Sequence, residues 1–116
     1  MTRSRAGDIV IVDWRGGALP KKPNSLRPAI VVEDETIFAP DCPNVLVVPL
    51  TSDEGIAMPG LSVTIDPAPE NGCERRCFAL APFVTSVSTR RMRATSSRIR
   101  AEQLAAIRGR IATGIG

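Results

Sequence analysis

The chain has 116 residues, of which 43% are hydrophobic but only 3% are aromatic. This length predicts one domain over residues 1–116, with a core built mainly from aliphatic side chains. The composition excludes an intrinsically disordered chain. No apolar run approaches the roughly 20 residues of a membrane span, and Met1 to Gly7 lacks the apolar segment of a secretory signal, so we predict a cytoplasmic protein that does not bind membranes.

The basic residues are distributed unevenly along the chain. Fifteen Lys and Arg against twelve Asp and Glu give a net charge of +3. Seven arginines fall between Arg90 and Arg110, where Glu102 is the only acidic residue. This asymmetry suits a polyanionic partner, although an Arg-rich face kept for solubility produces the same pattern.

Three cysteines and the absence of histidine limit the possible chemistry. An odd number of cysteines in a reducing compartment argues against a disulfide framework. On one extended segment, the Cα atoms of Cys73 and Cys77 would lie about 13 Å apart, too far for a disulfide bond. A zinc site is not expected, and a two-imidazole ribonuclease mechanism is excluded. We therefore interpret Cys42, Cys73 and Cys77 as small, half-buried hydrophobic residues, and we expect no metal and no cofactor.

Short runs rich in β-branched residues, separated by Pro, Gly, Asn and Asp clusters, predict an all-β domain. The first three runs are apolar on both faces, so we expect them in the middle of a closed or covered sheet. Pro82 interrupts the last two runs, because proline cannot donate to a sheet ladder. In chain order, the predicted strands are Asp8 to Trp14, Arg27 to Glu33, Asn44 to Leu50, Leu61 to Ile65, Arg76 to Ala81 and Phe83 to Val87.

The C-terminus changes to a helical period, with Leu104, Ile107 and Ile111 on one face. We expect one helix from about Ala101 to Ala112 that covers the core. The segment Gly16 to Ser25 has no periodicity and contains two Gly and two Pro. It is predicted to be a long exposed loop of the kind that carries functional residues.

Pairing of the second and third predicted strands brings a basic and a hydroxyl side chain to one sheet edge. In an antiparallel pair, the numbers of opposed residues have a constant sum. Placing Glu33 opposite Val45 therefore places Arg27 opposite Thr51. A proline follows Arg27 and another lies shortly before Thr51, so both side chains are expected where regular structure stops.

Four segments of the chain form an ordered pattern: Gly7 to Trp14, Leu26 to Val32, Val47 to Ser52 and, in the predicted C-terminal helix, Glu102 to Ile111. Together they resemble the MazF/PemK family of toxin ribonucleases. The similarity covers nearly the whole chain. It implies an SH3-like β-barrel with a C-terminal α-helix and a homodimer. It also implies metal-independent, sequence-selective cleavage of single-stranded mRNA, and a cognate antitoxin whose disordered tail covers the active groove.

Carried over residue by residue, the resemblance implies that Arg27 and Thr51 are catalytic. The family's Arg before Pro-Ala corresponds to Arg27, and its Thr-Ser after the third strand corresponds to Thr51 and Ser52. Arg27 would stabilise the phosphorane formed by 2′-hydroxyl attack, and Thr51 would hydrogen-bond the same phosphate or position the 2′-hydroxyl. The substrate-binding residues expected are Ser52, Lys21, Lys22, Asn24, Arg75 and Arg76.

The sequence leaves the general base open. Many relatives carry Asp-Gln after the fifth strand, where this chain has Ala81-Pro82-Phe83. Asp53 or Glu54 could serve as the base, or both could be solvated loop carboxylates. Arg75 and Arg76 could extend the RNA groove or face solvent.

Two other functions fit parts of the sequence. A gyrase-poisoning toxin of the CcdB type resembles this family in fold, but CcdB toxins end in Trp-Gly-Ile and this chain ends in Thr113-Gly114-Ile115-Gly116. An RNA-binding module that has lost catalysis is consistent with the missing Asp-Gln. Trp14 could stack on an RNA base, yet it shares a strand face with Val10 and Val12, which favours a core position.

Overall fold

The computed structural model describes residues 4–14, 26–34 and 42–115. Within these ranges the chain forms seven strands and one α-helix. No helix in this part of the chain is long and apolar enough to cross a membrane. The elements are β1 (Asp8–Asp13), β2 (Leu26–Val31), β3 (Asn44–Thr51), β4 (Ser62–Ile65), β5 (Cys77–Leu80), β6 (Thr85–Ser88), β7 (Met92–Arg98) and α1 (Ala101–Ile115), with short 3₁₀ turns at Ala81–Phe83 and Thr89–Arg91.

The strands form one antiparallel sheet in the order β4-β5-β3-β2-β1-β7, and β6 also pairs with β3. The sheet bends around β3: its residues 44–47 pair with β6, whereas Leu50 and Thr51 pair with β5. One long strand thereby joins two parts of the sheet, which curls into a barrel-like fold. The predicted fold class, mainly β and SH3-like with a C-terminal helix, is confirmed.

All six strands predicted from the sequence are present, with ends shifted by at most two residues. The first three lie in the centre of the sheet, as their apolar sequences predict. Pro82 lies in the 3₁₀ turn that separates β5 from β6. The strand β7 was not predicted from the sequence, and its side chains are mostly exposed. Because β7 is an edge strand beside β1, it does not need the apolar pattern by which strands are recognised.

Successive side chains of the central strands point to opposite faces of the sheet. They therefore build a hydrophobic core on each face. Ile9 and Ile30 pack in the cluster that lies under α1, whereas Val10 and Val31 pack on the opposite face with Trp14. Trp14 is only 6% exposed, so the prediction that it is a core residue is confirmed. With both faces buried, the central strands have no solvated side, and this explains their continuous apolar sequences.

The helix α1 covers one face of the sheet. It begins at Ala101 as predicted and continues three residues beyond Ala112. Ile107 is fully buried in the cluster under the helix, and Leu104 and Ile111 pack against the same cluster. Arg108 attaches the helix to the residues that follow β2: its Nε donates to the carbonyl of Val32 and its Nη2 donates to the carbonyl of Glu33, both at 3.1 Å.

We expect Ile107→Ala to lower the free energy of unfolding by about 2–5 kcal/mol, because it leaves a cavity between α1 and the sheet. Urea denaturation followed by circular dichroism measures this loss. Arg110→Ala, at an exposed position of the same helix, is the control and is expected to change stability by no more than about 0.5 kcal/mol. Equal denaturation midpoints for the two variants would show that α1 does not stabilise the core.

Candidate active site

The register between β2 and β3 determines which residues meet at the sheet edge. The opposed pairs are Ala29 with Pro49, Ile30 with Val48 and Val31 with Val47. Each pair has the constant sum on which the sequence prediction rests, so that register is confirmed. Continued by two residues, this register places Arg27 opposite Thr51 at the ends of the two strands.

Arg27 is half-buried in β2, opposite Val12 of β1. Pro28 follows it and holds its backbone extended. The Nε atom of Arg27 is buried and meets no acceptor among the described residues. A buried donor without an acceptor costs about 1–3 kcal/mol. An anionic oxygen that accepts from this Nε would remove that cost, a gain in binding free energy that a solvated arginine does not offer.

Thr51 ends β3 and begins a tight turn. Its Oγ1 accepts a hydrogen bond from the amide of Asp53 at 3.1 Å. The Oδ1 atom of Asp53 in turn accepts from the amide of Gly55 at 2.9 Å. Since the Thr51 oxygen accepts from the backbone, its hydroxyl hydrogen remains available to donate to a ligand. One carboxylate oxygen of Asp53 thus stabilises the turn. This structural role competes with a role of Asp53 as the general base.

Arg27 and Thr51 line the same cleft, which has a volume of about 170 Å³. This is the convergence that the strand register predicts. Ser52 and Asp53 line the cleft as well, so the predicted substrate residue Ser52 lies beside the two catalytic candidates. The cleft holds one guanidinium, two hydroxyls and one carboxylate: its lining is Arg27, Pro28, Leu50, Thr51, Ser52, Asp53 and Cys77.

A second basic feature lies at the same end of the sheet. Val12 is the Cα partner of both Arg27 and Met92, so Met92 is two strand spacings, or about 10 Å, from Arg27. Arg90 and Arg91 immediately precede Met92 and are exposed. Part of the basic C-terminal third of the sequence, Arg90 and Arg91, therefore lies near the cleft.

On the other side of the cleft, Arg76 lines a second, neighbouring depression of about 420 Å³ together with Glu54 and Phe78. Phe78 is the Cα partner of Thr51, so the two depressions adjoin. The Nε of Arg76 donates to Asp66 at 2.8 Å in an ion pair with both side chains well exposed. Such a pair is weak and leaves the rest of the guanidinium accessible. Arg75 is exposed on the same bend.

The structure adds one residue to the cleft that the sequence analysis did not select. Cys77 begins β5, next to the residue opposite Thr51. The pairing of β5 with β3 could not be obtained from the sequence, because no register argument connected those two strands. Ala81–Phe83 form the 3₁₀ turn after β5 and supply no carboxylate there. The predicted substrate residues Lys21, Lys22 and Asn24 lie outside the described residues.

Comparison with protein families gives a match that spans residues 5–115. The matching family is described as "PemK-like, MazF-like toxin of type II toxin-antitoxin system". The chain belongs to this family. A comparison with curated protein sequences finds no match.

Solved MazF structures share the fold over almost their whole length. MazF from Deinococcus radiodurans (form I) has a TM-score of 0.75 and 24% identity, covering 100% of this chain and 98% of its own. Toxin MazF-mt6 of Mycobacterium tuberculosis has a TM-score of 0.69 and 19% identity, covering 93% and 95%. An endoribonuclease solved with its cognate antitoxin from a mycobacterial species has a TM-score of 0.69 and 13% identity, covering 98% and 96%. At these identities the likeness establishes the fold.

Proposed function

We propose that this MazF-like toxin is a sequence-selective endoribonuclease that cleaves single-stranded mRNA without a metal ion. The observation that carries the proposal is the convergence of Arg27 and Thr51 in one cleft, with a buried Arg27 donor that meets no acceptor among the described residues. The family membership supports the same activity. Because mRNA is its substrate, the proposal includes action in the cytoplasm.

The proposed reaction begins with attack of a ribose 2′-hydroxyl on the neighbouring phosphate. Three tasks arise: removal of the hydroxyl proton, stabilisation of the pentavalent phosphorane and protonation of the leaving 5′-oxygen. Arg27 performs the second through a forked, permanently charged contact with the phosphoryl oxygens. Thr51 donates its hydroxyl to the same phosphate or to the 2′-oxygen. No metal is needed for these roles, because the substrate carries its own nucleophile and Arg27 supplies the positive charge.

RNA on either side of the cut would follow the end of the sheet. Arg90 and Arg91 lie on one side of the cleft, and Arg76 with the partly exposed Phe78 lies on the other. Arginine side chains bind successive phosphates, and an aromatic ring offers a surface on which a splayed base stacks. This arrangement matches a single strand better than a duplex, since the bases of a duplex are not free to stack on protein rings.

The proposal includes two protein partners. One is a cognate antitoxin, since Deinococcus radiodurans MazF has been solved with MazE and the mycobacterial endoribonuclease with its own antitoxin. An antitoxin tail that covers the cleft would have to bring acceptors to Arg27. The second partner is another copy of this chain, in a homodimer, as the family resemblance implies.

We expect the purified protein to cut a long single-stranded RNA into discrete fragments in the presence of EDTA. Gel electrophoresis of the products measures this. Arg27→Ala prepared in the same way is the control, because a contaminating ribonuclease would survive the substitution. Discrete fragments that disappear with the variant would support the proposal.

The same experiment separates the alternatives. The absence of the family's Asp-Gln at Ala81–Phe83 favours, as second candidate, an RNA-binding module without catalysis. RNA that is shifted in a native gel but stays intact would establish that candidate and overturn the nuclease. Cleavage that requires added Mg²⁺ would refute the metal-independent mechanism. Neither binding nor cutting, with inhibition of gyrase, would identify a CcdB-type toxin.

A further inference from the structure

The loop between β4 and β5 is folded so that its end returns to the start of β5. Asn71 is 3% exposed and holds the loop together. Its Oδ1 accepts from the amides of Ala68 at 3.2 Å and Cys73 at 2.9 Å, and its Nδ2 donates to the carbonyl of Asp66 at 2.9 Å. Asp66 follows Ile65, which is the strand partner of Cys77. The buried amide therefore brings Cys73 beside Cys77.

The two cysteine side chains are in contact. Besides burial, the interaction with Cys77 is one of the causes that raise the pKa of the Cys73 thiol, and both half-buried side chains pack against the same core cluster. The prediction that the two cysteines are too far apart to bridge applied to one extended segment. The structure does not form that segment: Glu74 and Arg75 lie in a bend, and the strand begins only at Cys77.

The bend is anchored at both of its ends. Gly72 has a φ of 66°, and a Cβ at this position would come within 2.6 Å of the Ser97 Oγ, so the turn before Cys73 requires glycine. At the other end, the Cys77 thiol donates to the carbonyl of Arg75 at 3.3 Å. Local hydrogen bonds and the glycine turn thus hold both cysteines in the bend, with no disulfide bond between them.

We infer that Cys73 and Cys77 are an oxidation site: they form a reversible intramolecular disulfide bond at the rim of the candidate active cleft. The inference about the disulfide stands on the geometry of the bend alone. Its consequence for RNA cleavage rests on the proposed function.

The chemistry requires a two-electron oxidant, for which we name a hydroperoxide. Cys77 lines the open cleft, so its sulfur is the one that a small peroxide reaches first. The Cys77 thiolate attacks the peroxide oxygen, the O–O bond breaks, and a sulfenic acid and an alcohol form. The Cys73 sulfur then attacks the Cys77 sulfur, the S–O bond breaks, and the hydroxyl leaves as water with the Cys73 proton. The two thiols lose two electrons, and the hydroperoxide gains them.

The environment divides the roles of the two thiols. Burial raises the pKa of the Cys73 thiol to about 12, with a smaller contribution from the neighbouring Cys77 side chain. Because a thiol reacts as its thiolate, Cys73 is protected from direct oxidation. Cys73 then reacts only with the neighbouring Cys77 after that residue has become a sulfenic acid.

Closing the bond would alter the cleft. Cys77 lines it together with Arg27 and Thr51, and the closed ring contains the two exposed arginines Arg75 and Arg76. Pulling the Cys77 sulfur toward Cys73 changes the cleft wall and restrains both arginines. A misplacement on the order of 1 Å near a reacting group costs about 10²-fold in rate. We therefore expect the oxidised protein to cleave RNA roughly tenfold to 10²-fold more slowly.

The test is peptide mapping by mass spectrometry of the full chain after titration with hydrogen peroxide, without reductant. We expect a Cys73–Cys77 linked peptide lighter by two hydrogen atoms, which a dithiol reductant reverses. Cys42→Ser is the matched control and should form the same bond. Cys73→Ser should not form it, and should retain the Cys77 sulfenic acid, trapped with dimedone. If Cys73→Ser fails to fold, Cys73→Ala replaces it.

The outcomes separate this inference from the proposed function. Oxidation of Cys77 to sulfinic acid, or a bond that includes Cys42, overturns the inference whatever the protein does to RNA. A disulfide bond that forms while RNA cleavage continues at the same rate overturns its effect on the cleft. Loss of cleavage after peroxide in the wild type and in Cys42→Ser, with retention in Cys73→Ser, supports both parts. A disulfide in a protein that never cuts RNA leaves the oxidation site standing and refutes the nuclease.

Discussion

Arg27→Ala is expected to slow RNA cleavage by roughly 10²- to 10³-fold, the usual effect of removing one transition-state charge stabiliser. The fold should survive, because Arg27 lies near the end of β2 and its Nε makes no hydrogen bond to the described residues. Single-turnover cleavage of a short RNA measures the rate, and circular dichroism checks the fold. Thr51→Ala should show a smaller loss that Thr51→Ser restores, since serine keeps the acceptor for the Asp53 amide.

Two further variants make the Arg27 experiment specific. Arg27→Lys keeps the charge but cannot make a forked contact with two phosphoryl oxygens, so it should also be slow. Arg110→Ala removes the same side chain from an exposed helix position and should cleave at the wild-type rate. Unchanged cleavage by a folded Arg27→Ala protein would remove Arg27 from the mechanism. A loss of equal size in Arg110→Ala would mean that total charge, not position, determines the rate.

The parts of this fold that were predictable are those in which both faces of a strand are buried. The central strands β1 to β3 follow from continuous apolar sequence, and the β2–β3 register predicted by placing Glu33 opposite Val45 agrees with the observed pairs. The helix follows from the period of Leu104, Ile107 and Ile111. In each case, a local pattern and a tertiary requirement point to the same structure.

Other features depended on contacts that leave no local pattern. β7 was missed because an edge strand keeps polar side chains, and Cys77 was missed because its place in the cleft depends on the pairing of β5 with β3. The contact between Cys73 and Cys77 depends on Asn71, a polar residue that would be expected at the surface and is buried because its amide bonds the loop backbone. A residue spacing alone cannot reveal such a bend.

Replacing the ribose at the cut site by 2′-deoxyribose is expected to abolish cleavage, because the proposed nucleophile is the 2′-hydroxyl of the substrate. The protein then only aligns this group with the phosphate and stabilises charge, a task for which intramolecular attack is well suited. The products should carry a 2′,3′-cyclic phosphate and a 5′-hydroxyl. Mass spectrometry of the fragments and labelling of 5′-hydroxyl ends by a kinase measure both. Binding of the 2′-deoxy RNA is the control and should be nearly unchanged, because the phosphates remain.

The pH dependence of the same cleavage tests for a base. With no histidine in the chain, the rate should show no maximum near the pKa of imidazole. Without a protein base, the rate rises toward alkaline pH as the 2′-hydroxyl ionises. If Asp53 is the base, Asp53→Asn abolishes cleavage. Asparagine keeps an oxygen for the Gly55 amide that Asp53 Oδ1 binds, so the turn is preserved and the loss reports the carboxylate. Fragments with 5′-phosphates, or cutting of the 2′-deoxy strand, would replace this mechanism with attack by an activated water.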